Sequence, residues 1–277
     1  MFKNKVIIIT GGSSGVGKEL SIRLAQRGAH LAIIAREKAK LNAVKEQLSK
    51  SAATGQKIEA YSCDVSSFDA VQETFSRAAK DLGLPDLLIN SAGILRESYF
   101  EKQSLDTFRE TMAINFFGTL HCIKAVLPFF KQKQAGRIVN ISSTAGLLGV
   151  FGYSSYCSSK YALVGLTEAL RSEFKPQNIK FHLVCPPEFE SPMVDDLNTY
   201  RTLENQTVVH TIPVLSVAAV AAAIIKGMEK DRYLIIPGAI TKMVTTFNRL
   251  FPFLGRLVVD TQIKRVYRGP DKQSEHQ

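Results

Sequence analysis

The sequence predicts an α/β protein, a doubly wound parallel sheet of about seven strands with helices on both faces. Three observations predict it. Short apolar runs alternate with longer helical patterns, and strand–helix alternation implies parallel strands joined by covering helices. A glycine-rich loop follows the first run and opens the first helical pattern. No Pro/Gly/Ser-rich linker and no internal repeat divides the chain.

The strand-like runs are residues 5–10, 31–35, 58–62, 86–90, 137–142, 180–184 and 233–236. The first, with Val6-Ile7-Ile8-Ile9, is apolar without alternation, as a strand covered on both faces must be. Helical periodicity fills the intervals at 15–27, 37–51, 68–82, 105–131, 156–174 and 217–230. These elements form one unit over residues 1–238, followed by an extension at 239–277.

The chain has 277 residues, 45% apolar and 22% charged, the ordinary balance of a globular protein with a substantial core. Cys63, Cys122, Cys157 and Cys185 are far apart and form no C-x-x-C pair, which argues against a disulfide framework or a zinc site. The five histidines are equally scattered, so no metal is expected. The first strand begins almost at Met1, leaving no room for a signal peptide ahead of it, and no run of ~18 uninterrupted apolar residues marks a spanning helix. The expected location is cytoplasmic. Against 25 acids the chain carries 35 basic residues, a net charge of +10.

The first strand ends in Thr10-Gly11-Gly12-Ser13-Ser14-Gly15-Val16-Gly17 and feeds a helix. Glycines allow a tight turn and close backbone approach to a pyrophosphate, whose charge the helix N-terminus favours. Thr10, Gly11, Ser13, Ser14, Gly15 and Gly17 are therefore candidate cofactor contacts in a Rossmann-type fold. An acid at the end of the second strand would accept hydrogen bonds from an NAD ribose. This chain has Ala35-Arg36 instead. With no carboxylate to repel a 2′-phosphate and a guanidinium to pair with it, NADPH/NADP is favoured over NAD.

Tyr156 and Lys160 stand four residues apart within a helical pattern, on one face and one turn apart. Such pairs are common on exposed helices. A phenol beside a fixed ammonium also loses its proton more readily, which makes it a usable proton donor and acceptor.

With the glycine loop, Asn90-Ser91-Ala92-Gly93, Asn115, Ser143 thirteen residues before Tyr156, and Lys160, the chain resembles the short-chain dehydrogenase/reductases over nearly all of residues 5–238. The resemblance implies that Tyr156 protonates the alkoxide formed on ketone reduction and that Ser143, rather than neighbouring Ser142, bonds the same oxygen. It implies that Lys160 binds the nicotinamide ribose and lowers the Tyr156 pKa, and that Asn115 holds a water in the proton relay. Asp64 and Val65 would contact the adenine, and Asn90 would steady the central strand, with Ala92, Gly93, Pro186 and Ser191 also lining the cofactor. Hydride arriving at a carbonyl builds negative charge on oxygen, so donors aimed there lower the barrier. The family is commonly oligomeric, and a homo-oligomer through residues 105–131 and 156–174 is expected.

Where most relatives have Pro-Gly after the sixth strand, this chain has Cys185-Pro186-Pro187-Glu188-Phe189-Glu190-Ser191-Pro192, with Pro187 in place of the glycine. That stretch, with Gly146-Leu147-Leu148-Gly149-Val150-Phe151-Gly152-Tyr153 and residues 168–176, is similar to the 3-ketodihydrosphingosine reductases within the family. The implied reaction is reduction of a 3-keto group on a long-chain amino alcohol. Glu188 or Glu190 would then pair with the substrate ammonium, or both are solvated loop acids. Another apolar ketone or alcohol (steroid, retinoid or acyl ketone) is the alternative substrate, and an inactive cofactor-binding regulator the remote one.

After Gly238, Ile240, Met243, Val244, Phe247, Phe251, Leu254 and Val258 recur at helical spacing, with Lys242, Arg249 and Arg256 every seven residues. Pro252 is expected to split this segment into two helices. An apolar stripe flanked by cations suits an anionic membrane surface, or packs on the protein or a second subunit. Nucleic acid is not expected, because the cations come with bulky apolar residues and no recognition motif.

Overall fold

The computed structural model describes residues 1–268; residues 269–277, including Asp271 and Lys272 of the basic extension, lie outside the described residues. Seven parallel strands, β1 Val6–Thr10, β2 His30–Ala35, β3 Ile58–Ser62, β4 Leu87–Asn90, β5 Gly136–Ile141, β6 Ile179–Val184 and β7 Leu234–Ile235, form one sheet in the order β3-β2-β1-β4-β5-β6-β7. The seven predicted runs are the seven strands, with ends shifted by a residue or two.

The helices are α1 Gly15–Ala25, α2 Lys38–Ser49, α3 Phe68–Leu82, α4 Leu105–Met112, α5 Gly118–Lys133, α6 Ser154–Glu173, α7 Pro192–Leu197, α8 Leu203–Val209, α9 Val217–Glu229, α10 Ala239–Leu250 and α11 Pro252–Arg268. Pro252 opens α11, so the extension is divided where expected. The short helices α7 and α8 lie where the periodicity shows no element. Ser191 and Thr202 cap them, accepting from Val194 N and Asn205 N, as side-chain oxygens do for orphan amides of a first turn.

Successive strand residues point to opposite faces, so β1 feeds two cores. Ile7 and Ile9 pack with Leu20 and Leu24 of α1, Leu41 of α2 and Ile224 of α9. Ile8 packs on the other side with Phe75 of α3 and Val126 and Phe130 of α5. Each such fully buried aliphatic side chain contributes ~1.5–3 kcal/mol. Close packing also restricts composition: a Cβ at Gly136 would stand 2.3 Å from the Phe130 ring.

A π-helical turn, Ala113–Phe117, joins α4 to α5 into one continuous helix. By length and composition Leu105–Lys133 is apolar enough to cross a membrane, which a search for uninterrupted apolar runs does not reveal; half of its most apolar stretch is buried within the fold. The chain leaves β1 toward β2 on one side and returns to β4 on the other. Such a reversal opens a crevice at the carboxyl ends of the strands.

Candidate active site

The glycine loop occupies that crevice, and its sequence follows from its contacts. Gly11 and Gly15 have φ of +67° and +50°, in the left-handed region that side chains disfavour. A Cβ on Gly17 would lie 2.3 Å from Gly11 O, and one on Gly11 would lie 2.8 Å from the main chain of Ser91 and Ala92. Thr10 is buried, and its Oγ1 accepts from Ser91 N (3.2 Å) and Ala92 N (3.3 Å), tying the loop to the end of β4. Ser14 is exposed at the start of α1 and its side chain makes no cap, leaving the first-turn amides facing the crevice. Ser13 is half-buried beside it. This bare main-chain cradle fits a dinucleotide pyrophosphate.

At the end of β2, Gly12 N donates to Ile34 O (3.2 Å), which holds the glycine loop beside the exposed Arg36. Arg36 also acts on Asp64: burial raises that carboxyl, but hydrogen bonds from Ser66 N and Oγ and the Arg36 charge outweigh it and hold it below its ordinary value. Val65 turns its side chain inward. Its side chain is in the core, 2.6 Å from where a Cβ on Gly118 would be, so Asp64 is the exposed member of the pair.

The end of β5 and the start of α6 carry the chemistry. Ser142 Oγ donates to Lys160 O (3.0 Å) and Lys160 Nζ donates to Ile141 O (3.0 Å), so strand and helix are bonded in both directions. Ser142 is thereby spent on structure. Ser143 caps the short turn Thr144–Gly146, accepting from Ala145 N at 3.1 Å, and also hydrogen-bonds Tyr156. Tyr153, which sequence reasoning passed over, stacks edge-on against Tyr156 with ring centroids 5.6 Å apart. Its only signal was the three-residue spacing.

The electrostatics differ from the expectation. Lys160 Nζ sits 5.5 Å from the centre of the Tyr156 ring, engaged by Ile141 O. Burial pushes the Tyr156 phenol above its ordinary value, with the Ser143 hydrogen bond pulling the other way, and burial pushes Lys160 down to about 8. Desolvation disfavours both charged forms and is the largest cause for each.

Asn115 lies in the π-turn, fully buried. Its Oδ1 accepts from Ile94 N (2.8 Å), and its Nδ2 donates to Ile94 O (2.9 Å) and Ser159 Oγ (3.0 Å). Both amide hydrogens are thus committed, and the side chain staples the β4 loop to α6. It also faces Gly93, where a Cβ would come within 3.2 Å of its Oδ1 and 3.6 Å of Lys160 Nζ. Asn90 likewise turns inward. Its Nδ2 donates to Asn140 Oδ1 (2.8 Å), Asn140 Nδ2 to Thr167 Oγ1 (2.9 Å), and Thr167 Oγ1 to Leu163 O (2.6 Å). All three side chains are buried, so the Asn90 side chain acts through the sheet.

Beyond β6, Pro186 O accepts from Thr144 N (2.8 Å), fixing the loop against the catalytic turn. Despite Pro187 in the glycine position the loop keeps an ordered path, pairing Phe189 with Leu215. Ser191 then crosses the glycine loop, its Cβ 3.9 Å from where one on Gly15 would be. The two acids part company. Glu188 lines the cavity, but Arg201 grips both its carboxylate oxygens, at 3.1 Å for Oε1 and still closer for Oε2, and the side chains are 8% and 3% exposed. A carboxylate so deeply buried must be paired, so Glu188 is not free for a substrate ammonium. Glu190 is exposed and borders a separate side pocket, outside the main cavity.

The crevice opens into a cavity of about 840 Å³ with Tyr156, Ser143 and Lys160 at one end and side chains of α8, α10 and α11 at the other.

Residues 5–202 match the family model described as short chain dehydrogenase. The chain belongs to the short chain dehydrogenase family. It is an oxidoreductase of that family, with the seven-stranded sheet that the alternation of apolar runs and helical patterns predicts. The chain is 37% identical over 267 residues to a 3-ketodihydrosphingosine reductase of Dictyostelium discoideum, covering 91% of this chain and 80% of the relative. It is 36% identical over 229 residues to the Bos taurus protein of the same name, covering 82% and 69%. Among solved structures it is similar to a short chain dehydrogenase/reductase from Burkholderia phymatum in complex with NAD, with a TM-score of 0.81, 23% identity, and 91% and 95% of the two chains covered.

Proposed function

We propose that the chain is an NADPH-dependent reductase that converts 3-ketodihydrosphingosine to dihydrosphingosine in sphingolipid synthesis. The observation that carries this reading is the identity of 36–37% to reductases of that name, in a chain whose Tyr156, Ser143 and Lys160 meet at the head of a long apolar cavity.

Thr10, Gly11, Ser13, Ser14, Gly15 and Gly17 would cradle the pyrophosphate, Arg36 the 2′-phosphate, Asp64 the adenine side, and Gly93, Lys160 and Ser191 the nicotinamide end. The bound nicotinamide supplies the hydride. Burial keeps the Tyr156 phenol protonated at neutral pH, the state that reduction requires, since the phenol must give its proton to the developing alkoxide. Ser143 bonds the same oxygen and orients the phenol. Lys160 holds the ribose. Asn115 fixes the loop carrying Gly93 to the helix carrying Tyr156. In this reading residues 1–238 are the catalytic unit, and α10 and α11 of the extension at 239–277 complete the substrate side.

Two further parts of the proposal concern partners. Ile240 and Leu250 of α10, Phe253 and Leu257 of α11 and Phe251 between them are exposed beside Lys242, Arg249 and Arg256, which supports contact with an anionic membrane surface. Exposed Leu105, Phe117 and Tyr161 support self-association through α4–α6.

The test is NADPH consumption with long-chain 3-ketones with and without the 2-amino group. The amino ketone should be the better substrate, and Tyr156→Phe should lower its turnover by ~10²–10⁴-fold with NADPH still bound. Activity confined to non-amino ketones would transfer the reading to another apolar ketone.

A further inference from the structure

We propose that α10 and α11 form, with α8, the receptacle for the substrate's long alkyl chain, and that Val244 and Val259 set the chain length accepted. The proposal rests on the reductase reading for the reacting end of the cavity and adds a role for the extension. The cavity of about 840 Å³ is continuous from Tyr156 to Val208 and Val209 of α8, Val244 and Phe247 of α10, and Val259 of α11. A segment that by sequence alone could lie wholly on a membrane or a second subunit therefore contributes one of its faces to the active-site cavity.

The extension is held there by specific contacts. Gln262 Nε2 donates to Thr211 Oγ1 (3.1 Å), tying α11 to the segment after α8. Gly255 lets α11 approach α10, since a Cβ there would lie 2.0 Å from Asn248 Oδ1. Thr241 and Thr245 of α10 and Val266 of α11 are buried, so both helices are docked on the protein. Of the polar residues at this end, Arg256 and Asp260 are exposed and Gln262 bonds Thr211, and apart from Asn248 the wall there is made by apolar side chains such as Val208, Val209, Val244, Phe247 and Val259. An extended alkyl chain is the ligand such a passage fits: it needs no hydrogen-bond partner, and its reactive end is anchored at Tyr156.

The experiment is a chain-length series of 3-ketones from C8 to C18, each with and without the 2-amino group, assayed by NADPH oxidation. In the wild-type enzyme kcat/KM should rise about fourfold per added methylene, the ~0.8 kcal/mol of a buried CH₂, until the passage is filled. Val244→Phe and Val259→Phe should each move the optimum to shorter chains, lowering kcat/KM for the C18 ketone ~16- to 64-fold, two to three methylenes' worth. Both variants should cost the C8 ketone far less than the C18 ketone, and an unchanged melting temperature and NADPH affinity, read by fluorescence titration, certify the fold. Equal losses at every length, or an unaltered profile in both variants, would overturn the proposal. If chain-length dependence shifts as expected but only ketones without the amino group react, the receptacle stands and the sphingoid assignment falls.

Discussion

Replacing either member of the buried Glu188–Arg201 pair should cost more stability than replacing both. The two side chains are 8% and 3% exposed and bonded through both carboxylate oxygens. Glu188→Leu leaves a guanidinium stranded in the interior, and Arg201→Met leaves a carboxylate. Removing one partner of such a pair costs ~3–5 kcal/mol, whereas an apolar pair of similar volume is close to neutral. Arg201 Nε is moreover buried without a hydrogen-bond partner, so the native pair is itself imperfect and the apolar exchange has something to gain. At ~2–4 °C per kcal/mol for a chain approaching this size, each single variant should melt about 10 °C lower, and the double variant Glu188→Leu/Arg201→Met within about 3 °C of wild type. Thermal unfolding of all four proteins without cofactor, analysed as a double-mutant cycle, measures this. Single variants that melt like wild type, or a double variant as unstable as the two losses added, would refute the account of Glu188 as a neutralised structural acid.

Two other predictions concern the cofactor end. Arg36→Ala should raise KM for NADPH ~10–100-fold, the ~1.5–3 kcal/mol of a hydrogen bond to a charged group, and leave KM for NADH nearly unchanged; kinetics with both cofactors measure it. The Lys160 ammonium is pushed down to about 8 by burial, below its value in the unfolded chain. The folded protein therefore binds fewer protons between pH about 8 and ~10.4, and the penalty, complete below that window, is relieved as pH rises. Wild type should accordingly gain stability relative to Lys160→Met on going from pH 7.5 to 10 in parallel melts, and a constant difference would show that Lys160 titrates normally.

All seven strands and every helix but α7 and α8 were legible because their apolar spacing is long-range and regular, and the glycine loop because its backbone conformations admit little else. Helices α7 and α8 were not, since six- and seven-residue elements give no period to read and depend on caps such as Ser191 and Thr202. The reacting residues were visible as a spacing, but their electrostatics were not. Tyr156 and Lys160 look like a coupled pair on a helical wheel, and only the fold reveals that burial governs both. Glu188 looked like a free acid because Arg201, thirteen residues on, meets it only after the chain has turned through α7. For the same reason the extension could be read as two helices with cations, while its share in the cavity wall depended on where α8 stands.

The buried relay from Asn90 through Asn140 to Thr167 has a consequence for enzymology. It couples β4 and β5 to the helix bearing Tyr156 using amides and a hydroxyl alone, none of which gains or loses a proton in the range where proteins survive. This part of the frame is thus blind to acidity, and of the bonds described between β5 and α6 only the one from Lys160 to Ile141 O carries a group that titrates. A bend in the pH–rate profile of this enzyme near pH 8 can accordingly be assigned to Lys160, with the amide relay contributing nothing to the curve.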